Sequence, residues 1–496
     1  SPGRIARQLL TASSVLAIAG GLTGALLAVG FVRTLLVLAP PDLPRLEEIG
    51  LTGVPLWIAA GITGAATLGV GLLPALFTSR EAVSSLRAGG RFSTAPRSRR
   101  RARHALVVFQ IALAIIVLVA GSLLVRTLQQ LERLDTGFTS NHLAMVQLTP
   151  AKTKEEGPAQ LRSLHDRLIR QLEALPGVVS AASVSVMPFG GATGGIDGRF
   201  VAEGSLESAP TVSPPLNMQI VGPGYFRTLD IPLLRGRPIT ESDREKNLRV
   251  VVVSETVARL FWPGQEAVGK RLGLGQPKEP EDWWTVVGVV PETRYRAMRE
   301  RLSTVYLPRR QFGGAGVAFM LAIRTSGDPA AVLPSVGNAV QEVDPDLLVT
   351  EAHTMAGLLA GELAQPRLSA VLLGVFGIGA LLLAAVGLYA MLAYVVRRRT
   401  RELAIRHALG ASPARLRSLV LRQGLALTAA GAALGLAAAL VGGRFVQSLL
   451  FGISPADPLT LAGVPLVLVV VALAACYIPA QRATRTDLVA VLRPDC

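Results

Sequence analysis

The chain has 496 residues, of which 50% are hydrophobic, and its formal net charge is +16. This composition is too apolar for an ordinary soluble domain, whereas its 17% of charged residues is too many for a chain made only of membrane helices. We therefore expect membrane spans together with a polar domain. Two cysteines, Cys476 and Cys496, are too few for a disulfide framework or a cysteine-based metal site.

Six stretches are long and apolar enough to cross a bilayer, which takes about 20 residues in a helix. They are predicted at Leu10–Leu38, Leu51–Phe77, Ala105–Leu124, Leu368–Val396, Leu425–Val441 and Leu461–Ala480. Arginine-rich segments separate spans two and three, and spans four and five, which predicts that both segments face the cytoplasm. Both ends of the chain are then cytoplasmic, and the long segment between spans three and four lies outside.

This extracytoplasmic segment has the residue periodicity of a soluble α+β domain. Its first part predicts the strand–helix–strand unit Leu143–Leu148, Pro158–Leu175 and Val178–Val186. Its last part predicts a second such unit, Val317–Ile323, Pro329–Val343 and Leu347–Thr350. We expect the two units to pair into a βαβ-type membrane-proximal subdomain. The middle, with strong strands at Leu248–Val253 and Trp283–Val290, is then an inserted β-rich second subdomain.

The two ends of the chain resemble each other. Residues 1–4 recur as 412–415, and residues 51–56 recur as 461–466. Spans one and two are therefore interpreted as a copy of spans five and six, and we expect the natural chain to continue upstream of Ser1. At matched positions the copies have the G-x-x-x-G spacing that lets helices approach closely. The predicted helix-packing residues are Gly20, Gly24, Gly431 and Gly435.

The segments that could indicate catalysis or cofactor binding each lack a feature that the chemistry requires. Residues 264–270 match G-x-x-x-x-G-K, but Arg271 stands where a phosphate loop needs Ser or Thr, so the segment is predicted to be a turn. The five histidines lack metal-ligand spacing. We expect no catalytic, cofactor or metal site. Because the arginines cluster at span ends, we also expect no nucleic-acid partner.

Residues 397–411 are the most informative stretch of the chain. They predict a short amphipathic helix that ends at Gly410, with Leu403, Ile405 and Leu409 forming an apolar surface among arginines. Two interpretations of this surface stay open at this point. The helix could lie on membrane lipid, or it could dock in a groove of another protein.

The same stretch resembles the cytoplasmic coupling segment of the FtsX-like, MacB-type permeases of ABC transporters. Residues 224–226, 234–237, 253–255 and 479–493 are similar to further motifs of that family. The tandem copy resembles its duplicated, ADOP-like branch, and this resemblance implies a chain truncated at its N-terminus. The resemblance implies the last two spans of a preceding unit at 1–77, a basic cytoplasmic linker at 78–104, a span at 105–126, a MacB-like periplasmic core domain at 127–366 and an FtsX-like domain at 367–496. That last domain would hold three spans, the coupling helix 397–411 and a cytoplasmic C-terminus.

The resemblance also implies a function. The chain would be a multi-pass permease subunit of the bacterial inner membrane that passes ATP-driven motion of a separate cytoplasmic ABC ATPase to its periplasmic domain, for export or envelope processes. It would not itself be an enzyme. Its further partners would be membrane lipid and a periplasmic adaptor or envelope protein. The residues implied in ATPase coupling are Arg401, Glu402, Leu403, Ile405, Arg406, Leu409 and Gly410. The alternative is a membrane-anchored periplasmic binding or signalling protein that works without an ATPase.

Overall fold

The computed structural model describes residues 2–38, scattered positions between 53 and 64, and residues 97–484 with gaps. The gaps are 152–157, 190–194, 204–212, 246, 313–318 and most of 399–411. Contacts divide the chain into two units. One contains residues 1–127 and 366–496, and the other contains residues 128–365.

The elements follow one another along the chain as strands framed by long helices. The described α-helices are α1 (Pro2–Leu38), α2 (Arg97–Glu132), α3 (Pro158–Glu173), α4 (Tyr225–Leu229), α5 (Glu255–Phe261), α6 (Pro329–Val343), α7 (Met355–Arg398), α8 (Pro413–Val446) and α9 (Pro458–Thr484). The strands are β1 (Leu143–Pro150), β2 (Val178–Val184), β3 (Ile196–Gly198), β4 (Phe200–Ala202), β5 (Leu216–Val221), β6 (Arg235–Gly236), β7 (Val250–Ser254), β8 (Arg271–Leu274), β9 (Trp283–Val290), β10 (Thr304–Pro308), β11 (Phe319–Thr325) and β12 (Leu347–Thr354).

Four of the described helices, α2, α7, α8 and α9, are long and apolar enough to cross a membrane. They contain the last four of the six predicted spans. The first predicted span coincides with α1, whose described apolar part, Ala17–Arg33, is shorter than the other four. The second, Leu51–Phe77, falls mostly outside the described residues. The chain therefore has four helices of membrane-spanning length in its described part, and the total of six stays a prediction.

The twelve strands of the second unit form one sheet. Ten of them follow the order β12-β1-β11-β2-β5-β10-β7-β9-β8-β4, and beside this path β3 pairs with β5 and β6 pairs with β9. Strands β1 and β2 are each antiparallel to β11, which lies between them, and β12 pairs antiparallel with β1. This is the split β-α-β arrangement, in which the two predicted strand–helix–strand units interleave. Strand β12 extends four residues beyond its predicted end because β1 offers it pairing partners up to Thr354.

Two hydrophobic clusters cover this sheet. In the first, Leu164, Leu168 and Leu172 of α3 are buried in one cluster with residues of β1, β2 and β11, as their helical spacing predicts. The second cluster belongs to the β-rich insertion and contains Val257 of α5 beneath strands β7, β9 and β10. A single residue pair, Val184 with Val221, joins strands β2 and β5 between the two parts. The predicted subdomains thus correspond to two cores on one continuous sheet.

Candidate functional site

The predicted coupling segment connects α7, which ends at Arg398, to α8, which begins at Pro413. The hydroxyl of Ser412 caps α8 by accepting a hydrogen bond from the Arg415 N–H. The structure describes Glu402, Ile405, Arg406 and Leu409 of the predicted site residues, whereas Arg401, Leu403 and Gly410 lie outside the described residues. The described residues are enough to define one face of the segment.

Ile405 and Leu409 form an exposed apolar pair. The Leu409 N–H donates a hydrogen bond to the Ile405 carbonyl oxygen at 3.0 Å, so the two residues are one helical turn apart on the same face. Ile405 is 45% exposed and Leu409 is 81% exposed. Two large apolar side chains that are exposed to solvent in this way are expected to be buried by lipid or by another protein.

The neighbouring charged residues are paired with each other. The Arg406 Nη2 atom donates to a carboxylate oxygen of Glu402 at 2.7 Å, with both side chains 47% exposed. Because glutamate precedes arginine by four residues, the pair is oriented favourably with respect to the helix dipole. An exposed pair of this kind contributes about 0.3–0.5 kcal/mol. We infer that it orients the helix turn next to Ile405 more than it stabilises the chain.

Tyr394 lies at the entrance to the segment. The guanidinium of Arg103, in α2, lies 4.3 Å from the centre of the Tyr394 ring, and that of Arg398 lies 5.9 Å from it. Such cation–π contacts hold the ends of α2 and α7 together just before the segment begins. Sequence reasoning did not single out Tyr394. The available signal was a tyrosine four residues before Arg398, at the basic end of an apolar span.

Gly431 and Gly435 lie where α8 packs tightly against α2. A Cβ at Gly431 would lie 2.6 Å from Ile111 Cγ2. A Cβ at Gly435 would lie 2.8 Å from the carbonyl oxygen of Ala112. Glycine is therefore required at both positions for this helix–helix distance.

The matching glycines of the first copy, Gly20 and Gly24, lie in α1. No described atom lies within 4 Å of a Cβ built at either position. Most of the adjacent predicted span is outside the described residues, so a packing role for these two glycines stays a prediction.

A second glycine contact, which sequence reasoning missed, joins α2 to α7. A Cβ at Gly121 would lie 3.1 Å from the Leu373 carbonyl oxygen, and one at Gly377 would lie 2.9 Å from a methyl of Leu118. Helix α2 thus meets close neighbours on two sides. The chain has 50 glycines, and the sequence repeat singled out Gly431 and Gly435 but not Gly121 or Gly377.

The family-like motifs of the external domain have structural roles. Tyr225 is fully buried, with its ring centre 5.3 Å from that of Phe226 and 5.8 Å from that of Tyr306. Burial raises the pKa of Tyr306 to about 12, so its hydroxyl stays neutral. Arg237 donates from both Nη atoms to the buried carboxylate of Asp243 at 2.8 Å. These residues hold the domain together.

The segment that matches a phosphate-loop pattern is a turn, as predicted. Gly264 and Gly269 have φ values of 73° and 86°, which suit tight turns. Lys270 is followed directly by strand β8, not by the helix that a phosphate loop requires.

Two family models match the chain. The MacB-like periplasmic core domain matches residues 105–343, and the FtsX-like permease C-terminal domain matches residues 374–488. Together they cover more than half of the chain, in the order in which the split β-α-β domain and the helices α7 to α9 occur. The chain belongs to the FtsX/MacB-type permeases.

Curated relatives agree with this assignment. The chain is 24% identical over 247 residues to the probable export ATP-binding/permease protein MacB of Pseudomonas entomophila (strain L48), which covers 48% of this chain and 36% of that protein. It is 26% identical over 275 residues to the macrolide export ATP-binding/permease protein MacB 1 of Yersinia pestis, covering 53% and 41%. The chain thus spans only about two fifths of the length of these relatives.

Two solved structures are similar at low identity. The periplasmic region of MacB from Actinobacillus actinomycetemcomitans is 14% identical, with a TM-score of 0.32, and covers 46% of this chain and 95% of that one. The extracellular domain of the ABC-type transporter YknZ from Gram-positive bacteria is 16% identical, with a TM-score of 0.28, and covers 42% and 100%.

Proposed function

We propose that the chain is a permease subunit of an ABC transporter of the bacterial inner membrane, driven by a separate cytoplasmic ATPase. It would pass the ATPase's motion to residues 128–365 on the periplasmic side, for export or envelope processes, with no catalytic role of its own. Family membership supports the permease assignment. The observation that supports ATPase coupling is the open apolar pair of Ile405 and Leu409.

The energetics of that pair favour a protein partner of modest contact area. Full burial of an Ile or Leu side chain contributes roughly 1.5–3 kcal/mol. The Glu402–Arg406 pair beside it provides a charged rim around an apolar centre, which is the usual composition of a protein interface. Membrane lipid and a periplasmic adaptor or envelope protein are further proposed partners.

The order of elements supports transmission along the chain. Strand β12 ends at Thr354, and α7 begins at Met355 without an intervening residue. This helix then continues for 44 residues to Arg398, just before the coupling segment. We propose that displacement of the segment by an ATPase moves α7, and that α7 moves the edge of the sheet to which β12 belongs.

The proposal predicts that the double substitution Ile405→Asp plus Leu409→Asp removes a bound ABC ATPase. The full chain would be purified from native membranes, and its bound partner identified by mass spectrometry and by ATP hydrolysis. We expect at least a tenfold loss of associated ATPase, because two buried carboxylates replace apolar contacts.

Leu248→Asp is the matched control, since Leu248 is also an open apolar side chain, 61% exposed, but lies in the sheet domain. Its associated ATPase should equal that of the wild type. Unchanged association in the double variant would contradict the coupling assignment. A wild-type chain that binds no ABC ATPase would favour the alternative, a binding or signalling protein that works without one.

A further inference from the structure

The helix ends that are predicted to face the cytoplasm carry a strong excess of arginine. Five arginines occur in residues 97–104, and eight occur in residues 397–422, where Glu402 is the one acidic residue. Both segments belong to the unit made of residues 1–127 and 366–496. Orientation of the chain by positive charge explains such an excess in general, but it does not require any two arginines to share one contact.

Two of these arginines converge on the ring of Tyr394. Arg103 reaches the ring from α2, with its guanidinium carbon 4.3 Å from the ring centre, and Arg398 reaches it from α7, at 5.9 Å. Two like charges gathered at one ring repel each other. Within the described residues neither guanidinium forms an ion pair with a carboxylate, and the nearby Glu402 is paired with Arg406. The arrangement therefore suits an anion that contacts both arginines.

Both arginines and the ring can be reached from outside the protein. Arg103 and Arg398 are exposed residues, and Tyr394 is 43% exposed. A guanidinium that rests on an aromatic face keeps the N–H groups along its edge for other partners. A phosphate group carries several acceptor oxygens, so one phosphate can accept hydrogen bonds from both arginines at once.

The position of the site favours the phosphate of a lipid over a dissolved phosphate. Arg103 lies two residues before the predicted span Ala105–Leu124, and Tyr394 lies two residues before the end of the predicted span Leu368–Val396. The site is therefore at the level where lipid headgroups meet the helix ends, which is also where tyrosine is enriched. Leu106, one turn from Arg103 on the same face of α2, is 66% exposed and offers an apolar surface to an acyl chain.

We propose that Arg103 and Arg398 together bind the phosphate of an anionic phospholipid beside the ring of Tyr394. This deepens the lipid partner of the proposed function, on which it rests for the cytoplasmic placement of these helix ends. A zwitterionic lipid fits less well, because its ammonium group would lie among the arginines of residues 97–104 and 397–422. A lipid held there would contact both α2 and α7, and would therefore stabilise the contact between their cytoplasmic ends.

The test measures lipid binding to the full chain by native mass spectrometry, after purification in detergent and removal of bound lipid. The probes are phosphatidylglycerol, which is anionic, and phosphatidylcholine, which is zwitterionic. Glycerol phosphate, a soluble phosphate ester without acyl chains, is the competitor. We expect phosphatidylglycerol to bind at least fivefold more tightly than phosphatidylcholine, and glycerol phosphate at equal concentration to leave it bound. Because the chain is measured alone, the outcome does not depend on whether an ATPase binds it.

The double substitution Arg103→Gln plus Arg398→Gln removes both proposed contacts and keeps polar side chains. An arginine near an anionic lipid contributes about 1 kcal/mol, which corresponds to about fivefold in affinity, so we expect this variant to lose at least fivefold for phosphatidylglycerol. Arg415→Gln plus Arg422→Gln is the matched control, because it removes the same charge from two exposed arginines of α8. Its affinity should stay within about twofold of the wild type, since only attraction by total charge is reduced.

Three results would overturn parts of this proposal. Equal binding of the two lipids by the wild type would overturn it outright. Unchanged binding in the variant of Arg103 and Arg398, or an equal loss in both double variants, would overturn the assignment to these two arginines. Displacement of the lipid by glycerol phosphate would overturn the choice of a lipid over a dissolved phosphate. If the variant of Arg103 and Arg398 does not fold, the single substitutions Arg398→Gln and Arg422→Gln, compared in the same way, decide.

Discussion

Replacing Gly435 with valine is expected to destabilise the membrane helices by about 1–3 kcal/mol, the usual range for forcing extra volume into a packed contact. The new Cβ would lie 2.8 Å from the Ala112 carbonyl oxygen and 2.9 Å from Ile115 Cβ. A backbone oxygen of α2 cannot rotate away as a flexible side chain can, so α8 must move away from α2. Every other contact between these two helices then weakens as well.

The measurement uses the buried thiol of Cys476, in α9, as a reporter of unfolding. In a Cys496→Ser background, a thiol-reactive fluorophore labels Cys476 when heating opens the helices. Gly442→Val is the matched control, because it places the same side chain in α8 where no described atom lies within 4 Å. The Gly435→Val variant should be labelled several degrees earlier than Gly442→Val. Equal labelling temperatures would show that the α8–α2 contact does not limit stability.

Replacing Asp243 with alanine is expected to destabilise the sheet domain by about 1–3 kcal/mol, the range for leaving a hydrogen-bond donor without its acceptor. The Asp243 side chain is 5% exposed and accepts hydrogen bonds from Arg237 and from the backbone N–H of Thr240. Alanine would leave that N–H without its acceptor and Arg237 without its counter-ion. Urea unfolding followed by tryptophan fluorescence measures the loss.

The exposed pair Arg235–Glu266 provides the control for this prediction. Its side chains are 62% and 57% exposed, so Glu266→Ala should cost less than about 1 kcal/mol. A similar loss in both variants would contradict the importance assigned to burial.

The same ion pair predicts an acid dependence. Burial alone would raise the pKa of Asp243, but hydrogen bonds from Arg237 and Thr240 outweigh it and hold that pKa below its usual value of 3.8. A lowered pKa in the folded state stabilises the domain above the unfolded value. This stabilisation is lost as the pH falls from about 4 through the folded pKa. The destabilisation caused by Asp243→Ala should therefore shrink below about pH 4.

Local patterns in the sequence predicted most elements of this fold. The length of the apolar stretches located the four described helices that could cross a membrane. The spacing of Leu164, Leu168 and Leu172 identified the buried face of α3. The predicted helix ends were less accurate. The apolar stretch that predicted a span at Leu368–Val396 lies within a longer helix, Met355–Arg398. The thickness of the bilayer's hydrocarbon core limits only the apolar stretch, so the helix itself can continue into flanking residues.

Non-local features could not be predicted from one sequence. Strand periodicity shows which residues face a core, but it does not show that β5 pairs with β10 in parallel or that Val184 meets Val221. A cavity lined by Ser183, Gly222 and Arg310, among others, depends on this pairing, since it forms where distant segments converge.

Photo-crosslinking from position 409 in intact cells shows directly whether an ABC ATPase contacts the segment between α7 and α8. Leu409 is 81% exposed, so a benzoyl-phenylalanine placed there keeps an apolar character and leaves the chain's own packing intact. We expect a cross-linked product that contains an ABC ATPase, and no such product when the same residue is placed at position 248. Cross-linking at position 409 to lipid alone would contradict this expectation.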